Sequence, residues 1–367
     1  PRMSKAAELA ALIGSQTALS NRNLIINGAM QVAQRSTSET NFTGSAFKTV
    51  DRVRSNLSGG GTFDQEQSTD VPSGEGFINS LKTTVNTVDS SIAAGDYYAL
   101  EFPLEGQNVN SISGFGTSGA KNLTLSFFVK SSVTGDYSVS FQNGVFDTSY
   151  VSKYTISSAN TWEKKTISIT AKTDGTWVTT NAQGVRIWFS LGTGSTFSTS
   201  REQTYQSGNY VNLTGTTQWI SNAGATFYIT GVQLEVGDTA TPFEHEDFGT
   251  TLRKCQRYYY KVSQVFGVGF GNTNAVAQVE LPFPVQMRTN PTAIDTTGTA
   301  ANYEVRVTEN DRASTSVPTL VADNYGSKDV GYVFFNITAG HITAGGVGFC
   351  RAAANDTGAY IAFQGEL

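Results

Sequence analysis

Catalysis at neutral pH needs groups that change protonation or attack a bond, and outside its carboxylates this chain has few. It contains two histidines, His245 and His341, and two cysteines, Cys255 and Cys350. Histidine is the usual general base, and these two fall in regions with separate strand patterns. No Gly-x-Ser-x-Gly elbow stands on a strand-to-helix turn, and no cysteine and histidine read as nucleophile and base. The glycine-rich stretches SGGG and GTGSTF lack the Lys-Ser/Thr and the following helix of a phosphate loop. Thirty acidic residues guarantee coincidental pairs, but a glycosidase needs two carboxylates at a set separation, one of them with a perturbed pKa. The densest group, Glu244, His245, Glu246 and Asp247, reads as a solvated connector between two domains, against the sharper reading of a metal or acid/base site. No catalytic residues are expected, and the chain reads as a non-enzyme.

A binding surface is a better match to these residue types. A pyranose presents an apolar C–H face and a ring of hydroxyls, so it asks for aromatic side chains flanked by polar donors and acceptors. The stretch REQTYQSGNYVNLTGTTQWISN (201–222) spaces Tyr205, Tyr210 and Trp219 among Gln, Asn, Thr and Ser. Trp177 in TDGTWVTT is the next candidate. The competing reading tucks these aromatics against a sandwich edge or an interface between copies, because aromatics usually pack. Trp162, in NTWEKKTISIT, reads as a core aromatic, against the sharper reading of a ligand contact.

Composition narrows the partners. The formal charge is 25 − 30 = −5 with no dense Lys/Arg cluster, which argues against nucleic acid and against an anionic membrane surface. No apolar run approaches the roughly 20 residues needed to span a bilayer, so no membrane insertion is expected. The opening PRMSKAAELAALIG does not read as a cleaved signal peptide. Two cysteines cannot staple 367 residues, so stability must come from packing or oligomer contacts, and the thiols are expected free and reduced. Asn-x-Ser/Thr triplets occur at Asn41, Asn56, Asn122, Asn212, Asn336 and Asn355, a frequency that so Asn/Ser/Thr-rich a chain produces by chance.

The elements that must position any site are strands. Hydrophobic content is 38% and charged content 15%, below the usual roughly 45–50% and 25%, with Gly, Ser, Thr and Asn making up the difference; this suits short strands joined by many turns. Strict alternation runs through Tyr98, Leu100, Phe102 and Leu104, through Leu123, Leu125, Phe127 and Val129, through Tyr137, Val139 and Phe141, and through Val185, Ile187, Phe189 and Leu191. In FYITGVQLEVG the apolar phase changes from Phe227 and Ile229 to Val232, Leu234 and Val236, and a bulge at Gly231 would restore one face. A weak helical stripe covers residues 4–20. From about residue 250 a second β region carries Tyr258, Tyr259 and Tyr260, a Gly-rich strand pair near 265–271, and LPFPVQMRTNPTA, whose three prolines exclude a central strand. It closes on Tyr360, Ile361, Ala362 and Phe363. The expected class is all-β: an N-terminal helix or stalk at 1–20, a jelly-roll β-sandwich at 21–247 and a second, smaller β-sandwich at 248–367.

Sequence blocks along the chain add a family resemblance. NRNLIINGAMQVAQRSTS (21–38) with VDRVRS (50–55) resembles the start of the carbohydrate-binding-module-like jelly roll of bacteriophage tail-fibre and tail proteins. GVQLEVGDTATPFEHEDFG (231–249) is similar to its last strand and exit, LRKCQRYYYKV (252–262) to the junction that follows, and LPFPVQMRTNPTA and AYIAFQGEL to the C-terminal domain. The resemblance implies a homotrimeric virion protein of the tail or fibre. Its partners would be host surface polysaccharide or lipopolysaccharide together with other virion tail proteins. A purely structural virion component, a connector, decoration or head fibre, is the alternative. Sugar-binding jelly rolls often hold a structural calcium through an acidic residue on the last strand. Here the matching position is Gly231, with Gln233 beyond it, and no D-x-D-x-D-G loop is present; no metal and no cofactor are expected.

Overall fold

The computed structural model describes residues 22–307, 310–321, 326–353, 356 and 358–367; the helix expected at 4–20 lies outside them. The chain divides into two compact units, one running to Phe248 and the other spanning Gly249–Glu366. Both are β-sandwiches. Among the described residues no helix is long and apolar enough to cross a membrane.

In the first unit, sheet A has six strands in the order Ser38–Phe42, Thr62–Ser68, Ser80–Thr87, Thr226–Val236, Leu123–Ser131 and Glu163–Ile169. Sheet B has seven: Gln206–Ser207, Thr148–Ile156, Gly135–Asn143, Gln183–Thr193, Tyr97–Glu105, Arg54–Ser58 and Ser45–Ala46. Neighbours within both sheets are antiparallel. The alternating sets named above all point between the sheets and are buried there, because period-two apolar residues on a pleated strand share one face. Phe127 of sheet A meets Phe189 of sheet B edge-on, ring centres 4.9 Å apart. Each such fully buried large side chain contributes about 1.5–3 kcal/mol.

The phase change at Gly231 is a bulge. Pairing with Leu123–Ser131 slips between Thr230 and Gln233, and Ile229, Val232 and Leu234 are all buried. Gly231 takes φ +61°, and a Cβ there would lie 2.6 Å from the Phe77 ring, so glycine is required on two counts. The same strand anchors the start of the unit. Leu24 N donates to Leu234 O, Asn23 Nδ2 to Val232 O, and Val232 N to Gly28 O. The Asn27-Gly28 turn that allows this has Asn27 at φ 60°, its amide held between Val32 and the Asp51 carbonyl. A Cβ on Gly28 would stand 2.1 Å from Val232 O. The exit is tied to the same place: Gln233 Oε1 accepts from Glu244 N, and Glu244 Oε2 accepts from Asn23 N.

In the second unit, a three-stranded sheet C (Tyr259–Ser263, Tyr360–Gln364, Ile294–Thr296) packs on a seven-stranded sheet D. The order of sheet D is Asn310–Ala313, Tyr303–Val307, Val347–Ala352, Val265–Gly271, Val276–Pro282, Val330–Asn336 and Thr319–Leu320. One expectation is corrected here. The first two residues of LPFPVQMRTNPTA, Leu281 and Pro282, do belong to a strand inside sheet D. Pro282 is tolerated because it is the strand's last residue, where the ladder ends. Cys255 and Cys350 are buried free thiols, and burial pushes the Cys350 thiol up to about 12.

Candidate functional site

Three of the four aromatics expected to meet sugar face inward. Trp219 is 0% exposed, its ring edge-on to Phe63 at 6.2 Å and Phe227 at 6.4 Å. Trp177 is buried edge-on to Phe115 at 4.9 Å and donates its Nε1 hydrogen to Asp174 O. Tyr205 lies between Tyr150 and Trp177, and its hydroxyl donates to Thr170 O at 2.8 Å; burial pushes that phenol well above its ordinary range. These rings extend the sandwich core instead of offering an open face. The polar residues around them in sequence are loop backbone partners, which is why composition alone misplaced them. Trp162 departs from its core assignment in the other direction. It lies half-buried on the outer side of sheet A, its Nε1 donating to Asp70 Oδ1 at 3.0 Å and its ring beside Lys130.

Tyr210 is half-buried and leads to a different surface, the outer face of sheet B. Its carbonyl accepts from Ser140 Oγ and Gln142 Nε2, both at 2.7 Å, which lays the 209–213 segment over one side of that face. The residues of sheet B that alternate with the core set point outward beside it. In register across the strands, Arg54 pairs with Glu101, Glu101 with Trp188, and Trp188 with Ser140. The adjoining row runs Pro103, Arg186, Gln142 and Ser149. Pro103 breaks no ladder, since the strand beside it reaches only as far as Arg54 opposite Glu101.

Two features set this face apart from an ordinary solvated sheet. The Arg186 guanidinium lies between aromatic rings, 3.8 Å from the Phe146 centre and 4.4 Å from that of Trp188, and it donates to Gln142 Oε1 and Asn209 Oδ1. Desolvation holds this guanidinium at about 10, opposed by the charge of Glu101, so it stays cationic at neutral pH. Glu101, 1% exposed, accepts from Asn56 Nδ2 at 2.7 Å and Gln183 Nε2 at 3.0 Å, with Arg54 3.8 Å away. Trp188 is 5% exposed, and its Nε1 hydrogen, like that of Trp219 in the core, has no partner among the described residues. At the open margin stand Phe146, 38% exposed and held at φ 63°, and the Arg54 side chain. Chemically the face offers the Arg54 guanidinium beside the exposed ring of Phe146. It suits a ligand rich in hydroxyl, ring or carboxylate oxygens.

The signal for these residues was present in the sequence. Once Val185, Ile187, Phe189 and Leu191 are assigned to the core, Arg186, Trp188 and Ser190 fall on the opposite face, as do Tyr97 and Glu101 opposite Tyr98 and Leu100.

The acidic group near residue 245 is taken up structurally. Glu244 holds the Asn23 amide, and the His245 ring packs against Phe77 and Phe243 with Nε2 2.9 Å from Glu75 O. Gln233, on the strand considered for calcium, bonds to Glu235, Thr241 and the Glu244 amide. Among the described residues no group of three or more His, Cys, Asp and Glu side chains could hold a metal ion.

No family model matches the sequence, and no curated protein matches it. Solved structures of related layout include the enzymatically active domain of tailspike protein 4 of bacteriophage CBA120, at 13% identity and TM-score 0.31; it covers 59% of this chain and 22% of that one, well under two thirds of its length. A CBM4 structure matches at 15% identity and TM-score 0.31, covering 58% of this chain and 99% of the other. The family 11 carbohydrate-binding module of Clostridium thermocellum in complex with a β-1,3-1,4-mixed-linked tetrasaccharide matches at 12% identity and TM-score 0.27, covering 57% and 99%.

Proposed function

We propose that this chain is a non-catalytic glycan-binding protein whose first unit holds sugar on the outer face of sheet B, and that it serves as a homotrimeric adhesin in a phage tail or fibre. The observation that carries the binding reading is the Phe146–Arg186–Trp188 stack, with Phe146 and the Arg54 side chain open to solvent at its margin. A sheet face that only met solvent would gain nothing from desolvating a guanidinium. A sugar C–H face would lie on the exposed Phe146 ring while its hydroxyls accept from the Arg54 guanidinium. The virion assignment is supported by the order of the sequence blocks at 21–38, 50–55, 231–249 and 252–262. Host surface polysaccharide or lipopolysaccharide is the ligand this role calls for, and three copies would multiply weak single contacts into firm attachment.

The test is a glycan array with the full chain, followed by titration of the best ligand against wild type, Arg54→Ala and Phe146→Ala. Both side chains are solvent-accessible, so the variants should fold. Loss of about tenfold in affinity, roughly 1.4 kcal/mol, is expected for each. Undiminished binding in both variants, or no binding to any glycan, overturns the reading.

A further inference from the structure

The second unit carries a site of its own kind on the outer face of sheet D. Along Val276–Pro282 the residues Ala277, Val279 and Leu281 enter the core, which turns Gln278 and Glu280 outward. Register places Phe270 opposite Gln278 on one side, and Phe334 and Tyr332 opposite Gln278 and Glu280 on the other. Phe270, Gln278, Glu280 and Tyr332, with Gly271 and Asn272 at the strand end, line a cleft of about 210 Å³. That volume is below the roughly 300–1,000 Å³ of sites for drug-sized ligands, so it suits one ring and not a long chain.

The lining combines what is rarely left exposed with what is rarely left unengaged. Phe270 is 63% exposed in the middle of a sheet, a placement that gains nothing from burial. Around it, the side chains of Asn272, Gln278 and Glu280 make no hydrogen bond or ion pair with any described residue. The strand end is also fixed: Gly271 N donates to Gly346 O, and a Cβ on Gly271 would stand 2.1 Å from Thr343 O, so Phe270 is presented by backbone that cannot shift away. A flat apolar ring beside a carboxylate and two amides is complementary to a pyranose. Its C–H face covers the phenyl ring, its hydroxyls donate to Glu280, and the amides can both donate and accept.

We infer that this cleft is a second, independent carbohydrate subsite, taking a single neutral hexose or N-acetylhexosamine ring. An apolar protein partner is the poorer fit, because it would bury Glu280 without a cation. Exposed Val268 and Val347 beside Phe270 make a contact between copies of this chain the rival to be tested.

The test separates this site from the one on sheet B. All four tryptophans, Trp162, Trp177, Trp188 and Trp219, lie in the first unit, so Phe270→Trp places a reporter in the cleft while keeping an aromatic platform. The background is the full chain carrying Arg54→Ala and Phe146→Ala, which silences the first unit. Glucose, galactose and N-acetylglucosamine are titrated at tens of millimolar, the range of a single weakly held ring, and read by saturation-transfer NMR and by fluorescence of Phe270→Trp. The expected result is a signal that survives in this background, is retained by Phe270→Trp with a change in its emission, falls at least tenfold with Phe270→Ala and falls several-fold with Glu280→Gln. Absence of signal with all three sugars in this background overturns the inference even when wild type still binds glycan through sheet B. So does a change in sedimentation on Phe270→Ala, which would identify the face as a contact between copies.

Discussion

Sheets A and B of the first unit turn very different outer faces to solvent, although both mix charge with aromatic rings. On sheet A a single row crosses the strands as Glu66, Lys82, Tyr228 and Lys130. Lys82 bonds to Glu66, Lys130 to Asp70, and the Trp162 indole to Asp70, so these charges answer their neighbours. On sheet B the guanidinium of Arg186 is desolvated between rings, and the partly exposed Arg54 keeps a loose 3.8 Å approach to Glu101. A closed set of pairs stabilises a surface; a set with open valence leaves work for a ligand. Residue type does not distinguish these two faces, and pairing does.

The comparison would break most visibly if the core and the faces were interchangeable. Trp219→Ala should cost about 3–5 kcal/mol through the cavity left against Phe63 and Phe227, read as a fall in the denaturant midpoint. A small loss would mean that Trp219 is not packed as described. On sheet B, Glu101→Ala strands the buried Asn56 amide and leaves half-buried Gln183 without its acceptor, and about 2–4 kcal/mol of stability should go with it. Tyr205→Phe removes only the bond to Thr170 O, about 1 kcal/mol, and should leave glycan affinity unaltered; a loss of affinity would return Tyr205 to the ligand surface.

The smallest effect belongs to sheet A and depends on pH. Burial works to raise the Asp70 carboxyl, but its bonds to Lys130 and Trp162 outweigh this and hold it below the usual carboxylate range. A folded-state value below the unfolded one stabilises above the unfolded value of about 3.9, and that contribution is lost as pH falls through the folded value. Melting temperatures of wild type and Asp70→Asn should therefore differ slightly at neutral pH and converge in acid, with glycan binding equal throughout. A gap that widens in acid would contradict the pairing.

Much of the first unit was legible before any coordinates. The alternating sets at 98–104, 123–129, 137–141 and 185–191 all mark inward faces, and the phase slip at Gly231 marks the bulge. The site residues were harder to read because a search for aromatics among polar neighbours favours loops. In 201–222 the neighbours of Trp219 and Tyr205 serve the backbone, while the rings pack inward. Trp188 differs: the alternation of Val185, Ile187 and Phe189 puts it on the outer face, but only the register with Glu101 and Arg54 shows what stands beside it there. Pairing across strands is long-range, and local spacing does not encode it.

The stitching of residues 22–28 to the final strand and exit of the first unit has a mechanical meaning. Tension entering at Arg22 and leaving at Glu244 meets a short seam made of Asn23, Leu24, Gly28, Val232, Leu234 and Glu244, and the body of the sandwich stands outside the line of force. A pulling force applied at these two points would load this clasp first and leave sheet B unstretched. Optical-trap pulling between these two points should show a first rupture that Asn23→Ala lowers and Phe146→Ala does not.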